Sequence, residues 1–175
     1  MEEEDYPPKE KNRTMSSLER YQQLYQWEIA CNRKMLAMLQ SVPEANHHDL
    51  RYQQAVNIAT HLVACRENWL SFMKGGEQAV SKWFEEASEL SALPARIATV
   101  EAQWADYLAH LTEEALQSEF KESWGDGGYS LIVTEVQILQ LVIHAPYHRG
   151  QVSLLVDQLG GTTVDTDFVM WVYPE

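Results

Sequence analysis

The sequence predicts an all-α fold, a bundle of four long helices, and three observations carry that prediction. Apolar residues recur at a spacing of 3–4 over most of the chain, as a helix face requires. The periodic segments are bounded by helix-start and helix-stop residues, among them Ser16 with Glu19, Gly75-Gly76, Pro94 and Gly160-Gly161. A length of 175 residues, 45% of them hydrophobic, suffices for one substantial core and is short for two ordinary domains.

Residues 1–14 carry Glu2, Glu3, Glu4, Asp5, Pro7 and Pro8 with little apolar content, and read as a mobile acidic leader to a single domain over 15–175. Ser16 and Glu19 form a capping-box pattern, after which Leu18, Tyr21, Tyr25, Cys31, Met35, Met38 and Leu39 mark a first helix running up to Pro43. A second helix is predicted from about Asn46 to Met73, with Ala55, Ile58, Leu62, Cys65, Trp69 and Phe72 in one stripe. A shorter helix is expected over 77–90. Another follows from about Pro94 through Val100, Trp104, Tyr107 and Leu111. Trp124 to Gly128 predicts a turn between short extended pieces, because its glycines permit positive φ. From about Ile132 to Leu159 the chain is apolar on more than one face, as befits a central helix. The tail over 166–172 reads as a packed strand or short helix.

Thirteen basic against 26 acidic residues give a formal charge of −13, which repels nucleic-acid phosphates and anionic membrane surfaces. No apolar run reaches the roughly 18 residues that a bilayer span needs, so a cytoplasmic protein without nucleic-acid or membrane partners is expected. The two cysteines, Cys31 and Cys65, lie in helical stripes without a disulfide framework, which suits a reducing compartment.

The chemistry concentrates in the last long helix, at His144-Ala-Pro-Tyr147-His148-Arg149-Gly-Gln151. On a helix, positions 144 and 148 are one turn apart on one face, so both imidazoles can reach one divalent ion. No Glu follows the first His, so the zincin pattern is not met. Pro146 and Gly150 both flank His148, and such breaches of local propensity are expected at functional sites. A proline opening a new helix would separate the two histidines; apolar periodicity on both sides of Pro146 favours one continuous helix. Gln151 falls near the His face and is a candidate to orient a ligand or to hold substrate, with an edge-capping residue as the alternative. Arg149 points about 100° away and is expected to pair with a carboxylate elsewhere, or with a dimer partner, rather than with substrate. Tyr147 is a candidate pocket wall.

The combination of Tyr25-x-Trp27 and Asn32, Asn57-Ile-Ala-Thr-His61-Leu-Val-Ala-Cys65-Arg66-Glu-Asn-Trp69-Leu70, His144-x-x-x-His148-Arg149-Gly150-Gln151, and Gly160 leading to Thr166-Asp167 resembles the DinB/YfiT-like superfamily from about residue 18 onward. The resemblance implies an up-down-down-up four-helix bundle, often a homodimer, in which three histidines hold zinc, nickel or a similar divalent ion. His61, eight residues before Trp69, matches the first ligand; His144 and His148 match the second and third. Characterised relatives include mycothiol-dependent maleylpyruvate isomerase and bacillithiol S-transferases, and many members have no known reaction. The chain departs from the pattern at Pro146, at Thr162-Thr163 where relatives carry a proline pair, at Cys65 in place of a small residue and at Arg66 in place of an acid.

Three neutral imidazoles with an open fourth position describe a catalytic metal site, where a bound thiol or water loses its proton readily. The leading expectation is an enzyme that activates a low-molecular-weight thiol for attack on an electrophilic small molecule. Metal-dependent hydrolysis and a non-catalytic stress-response or interaction module are the alternatives. Cys65, one turn after His61, reads as a small hydrophobe with the capacity to approach the metal. His47, His48 and His110 read as ordinary polar surface.

Overall fold

The computed structural model describes residues 15–124 and 126–173; the leader expected over 1–14 lies outside them. The chain is mostly helical. Helix α1 (Ser17–Gln40) begins with the reciprocal cap its sequence encodes: Ser16 Oγ accepts from Glu19 N at 3.1 Å and Glu19 Oε2 accepts from Ser16 N at 2.9 Å. Helix α2 (Leu50–Met73) starts four residues later than expected. Asp49, whose Oδ1 accepts from Arg51 N at 2.8 Å, is its cap, and Glu44–Asn46 form a separate 3-10 turn. Gly75, at φ +78°, closes α2 in the left-handed region. Helix α3 (Leu93–His110) carries Pro94 in its first turn, where a missing N–H costs nothing, and a single turn, α4 (Glu113–Leu116), follows.

The glycine-rich stretch is a hairpin, as the sequence allows. Strand β1 (Glu119–Ser123) pairs antiparallel with β2 (Tyr129–Val133), and Phe120 faces the core. The hairpin leads directly into α5 (Thr134–Gln158), which is one helix despite Pro146 in its interior. Pro146 is exposed, so the carbonyl that loses its i+4 partner lies toward the hydrated side. The tail forms a five-residue helix, α6 (Phe168–Val172), with Phe168 edge-on to Trp27 at 5.4 Å between ring centres.

The helix expected over 77–90 does not form. Between Lys74 and Glu89 the backbone bonds to side chains of α2 instead: Val80 N donates to Asn68 Oδ1 at 2.8 Å, Ser88 N to Asn57 Oδ1 at 3.0 Å, and Gln53 Nε2 to the Ser88 carbonyl at 2.8 Å. Those polar α2 residues offer the segment partners that a helix would otherwise supply from within, and Ala87 takes a positive φ of 59° that a helix forbids.

The four long helices share one core. Met35 and Leu39 of α1, Ala55, Ala59 and Leu62 of α2, Val100 and Trp104 of α3, and Val152 and Val156 of α5 are all buried, each large apolar side chain contributing about 1.5–3 kcal/mol relative to exposure. Cross-helix bonds fix relative direction. Tyr21 donates to Glu135 and Glu28 contacts Arg149, so α1 and α5 run the same way. Gln22 Nε2 donates to the Leu108 carbonyl and Tyr25 Oη to that of Glu101, so α3 opposes α1. His61 lies beside His148, while Trp69 shares a cavity with Gln140 and Leu141, so α2 opposes α5. Among the described residues, no helix is long and apolar enough to cross a membrane.

Buried within this core is an ion cluster. Glu28, 1% exposed, contacts Arg149 through Oε1 and Arg66 through Oε2, so α1 binds both α5 and α2 at one point. The Arg149 guanidinium also lies over the Trp27 ring, 4.8 Å from its centre.

Candidate metal centre

The antiparallel packing of α2 on α5 brings His61, His144 and His148 together. Their ring centres are 4.4 Å apart for 144 and 148, 4.9 Å for 61 and 148, and 5.3 Å for 61 and 144, each pair close to perpendicular. Each ring is partly buried. Nε2 of His144 and Nε2 of His148 approach to 3.0 Å. Two nitrogens about 2.05 Å from one ion would be about 2.9 Å apart at a right angle and about 3.3 Å apart at the tetrahedral angle, so the observed spacing fits a shared cation.

Hydrogen bonds on the opposite ring nitrogens select the tautomers. His61 Nδ1 donates to the Trp83 carbonyl at 2.5 Å, and His148 Nδ1 donates to Gln151 Oε1 at 2.7 Å. Both leave Nε2 as a lone pair directed into the cluster, the arrangement in which protein groups orient metal-ligating histidines. Gln151 thus stands on His148. The 77–89 segment, anchored by the α2 side chains, thus delivers one carbonyl to one imidazole.

Burial, followed by the neighbouring His148, His61 and Arg66, drives the His144 pKa down to about 4. Burial and His61 also lower that of His148, against the opposing bond from Gln151. Neutral rings are the form a cation requires, so the electrostatics hold these two in binding-competent protonation near pH 7.

Cys65 is drawn into the same cluster. His61, Cys65 and His144 each offer a ligand atom within 4.8 Å of the others, a set able to hold a divalent metal. The sulfur, however, lies 3.5 Å from Nε2 and 3.6 Å from Nδ1 of His61. A sulfur sharing an ion with Nε2 would be about 3.5 Å from that atom but about 5 Å from Nδ1. In this rotamer Sγ therefore flanks the ring, and burial pushes its thiol pKa up to about 12.

Beside the cluster opens a cavity of about 260 Å³ whose lining includes Cys65, His144, Trp69, Trp83, Leu141 and Glu122. Tyr147 does not line it. Placed two helix positions before the inward-facing Arg149, its ring is 65% exposed and packs 5.0 Å from the His148 ring on the outer side. Glu122 and the Trp83 carbonyl went unmarked in the sequence, since one sits in a turn-rich segment and the other is backbone. Arg149 finds the carboxylate it was expected to find, Glu28, which occupies the buried face of α1 seven residues after Tyr21. His47 stacks on Tyr52 and contacts the Val42 carbonyl, His48 is exposed, and His110 pairs with Asp106; none joins the cluster.

A family model described as the DinB family matches residues 15–175. No curated protein and no solved structure matches the chain. With that match covering all but the first 14 residues, the chain belongs to the DinB family.

Proposed function

We propose that the protein is a divalent-metal-dependent enzyme built on an up-down-down-up four-helix bundle, with His61, His144 and His148 holding zinc or nickel. The observation that carries this reading is the convergence of three imidazoles from two helices, two of them with Nδ1 tied to a fixed acceptor, beside an open cavity. A closed structural site would have no use for that cavity; an open coordination position facing it would. When bound, the ion supplies Lewis acidity that lowers the pKa of a coordinated thiol or water. The chain's own residues do the rest. Trp83 and Gln151 fix ring orientation, Trp69, Trp83 and Leu141 exclude water from one side of the cavity, and buried Cys65 keeps its proton. A low-molecular-weight thiol attacking an electrophilic small molecule is the favoured reaction class. The outer face of α5, where Val136, Ile143, Tyr147 and Leu154 are 60%, 61%, 65% and 58% exposed along one stripe, supports a homodimer.

Metal content of untagged protein tests the assignment. About one equivalent of divalent metal per chain, lost in His61→Ala with the fold retained by circular dichroism, is the expected result. Protein that takes up neither zinc nor nickel would end it.

A further inference from the structure

The cavity beside the histidines has a polarity of its own. Trp69 and Trp83 line it with ring centres 5.3 Å apart and planes inclined at 56°, forming an indole corner. Glu122 lines it too, from the half-buried face of β1, and its carboxylate takes no ion pair among the described residues. The neighbouring Lys121 is exposed on the opposite face of the strand, with its ammonium 4.5 Å from the centre of the Tyr129 ring, outside the cavity. No Lys or Arg stands among the described residues that line the space. Indole faces carry a negative quadrupole and attract cations, most strongly where water is displaced, and a carboxylate beside them adds direct attraction. A chain with a formal charge of −13 likewise favours the approach of cationic ligands.

We propose that this cavity is a recognition pocket for a small molecule bearing an alkylammonium group, held by the Trp69–Trp83 corner and the Glu122 carboxylate. The inference rests on the metal-centre reading for its identification of the pocket with the substrate site. Glu122 and the two indoles select the cation, while the imidazole end is left for whichever group reacts. A volume of about 260 Å³ leaves room for a trimethylammonium head with a short chain.

The test compares choline with its neutral isostere, in which a quaternary carbon replaces the nitrogen, so the two probes share shape and hydroxyl and differ in charge. Both are titrated calorimetrically into zinc-loaded and metal-free protein, into Glu122→Gln and into Trp83→Leu, which keeps the backbone carbonyl that His61 uses. The expected result is that choline binds about tenfold more tightly than the isostere, that Glu122→Gln cuts the preference to about threefold or less, and that Trp83→Leu weakens choline more than the isostere. Equal binding of the two probes, no binding of either, or an unchanged preference in Glu122→Gln would overturn the proposal. Zinc content of the same samples reports separately on the metal centre: wild-type protein that holds zinc but does not distinguish the probes loses this inference alone, and protein that distinguishes them without taking zinc loses the metal reading alone.

Discussion

Replacing Glu28 with Gln should cost more stability than almost any other isosteric change in the protein. The side chain is 2% exposed and its two oxygens contact two guanidiniums, that of Arg149, 1% exposed, and that of Arg66, 7% exposed. Glutamine preserves volume, so no cavity term arises, and the loss is electrostatic. Removing one partner of a buried pair costs about 3–5 kcal/mol, because the remaining charge stays desolvated. Here one substitution strands two cations, which places the expectation at about 4–5 kcal/mol, against a total stability of about 5–15 kcal/mol for an ordinary domain. Urea unfolding followed by tryptophan fluorescence measures it. At an m-value of about 2 kcal/mol per molar, the midpoint should fall by about 2 M. A shift below about 0.5 M would refute the argument, since it would mean that Arg66 and Arg149 find other compensation and that Glu28 does not join the three helices. The triple replacement Glu28→Met, Arg66→Leu, Arg149→Met should recover most of the loss, because an apolar cluster of similar volume carries no stranded charge.

Gln151→Leu leaves His148 without its orienting acceptor and should weaken metal affinity about tenfold, read by competition with a chromophoric chelator; unchanged affinity would remove Gln151 from the site. Cys65→Ser should keep full metal stoichiometry, and cobalt-loaded wild-type protein should lack the near-ultraviolet thiolate charge-transfer band, whose appearance would make Sγ a ligand. Ile143→Lys, in the middle of the exposed α5 stripe, should raise the dimer dissociation constant at least about tenfold by sedimentation, and a wild type that sediments as a monomer would dispose of the dimer. Metal-free protein should lose stability on acidification between about pH 6.5 and pH 4. His144 binds its proton only near pH 4 when folded but near its ordinary value of 6.5 when unfolded, so the unfolded chain takes up more protons in that window and stability falls as pH falls. Solvent screening of a half-buried ring reduces the effect to about 1–2 kcal/mol, and a wild-type midpoint no more pH-dependent across the window than that of His144→Gln would contradict it.

Legibility in the sequence followed how local the determining interactions are. The capping box at Ser16, the glycine at 160 and the His144/His148 spacing are encoded within a few residues, and each appears in the structure where the sequence places it. The Gly-rich turn was legible for the same reason, whereas the contact of Phe120 with Trp69 that sets the hairpin against α2 is tertiary. The 77–90 segment defeated the periodic reading because Asn57, Asn68 and Gln53, tens of residues away in places, capture its backbone groups. Tyr147 is absent from the lining of that cavity on a matter of angle: it is one residue before His148, and on α5 that rotates it onto the outer face. Cys65 was readable as a neighbour of His61 from the i, i+4 spacing, but its near-equal distances from both ring nitrogens, which set its sulfur beside the ring, are read only from the structure.

The cost of Pro146 becomes intelligible once α5 is seen as a helix held from two directions. A proline at that position removes the bond its N–H would give to the Val142 carbonyl, in the turn that overlaps His144, and a helix weakened there would let the two imidazoles drift relative to each other. Arg149, one residue after His148 and about 100° around the helix, is clamped by Glu28 of α1, while His148 itself faces α2. Two contacts at such an angle fix rotation as well as position, which a single apolar stripe would not do. On this argument the buried ion cluster and the candidate metal centre are one mechanical unit: Glu28 sets the azimuth of α5, and the azimuth sets where both Nε2 atoms point. The prediction from Glu28 therefore extends beyond stability, since any Glu28→Gln protein that remains folded should also hold its metal less tightly than wild type, although Glu28 touches none of the three histidines.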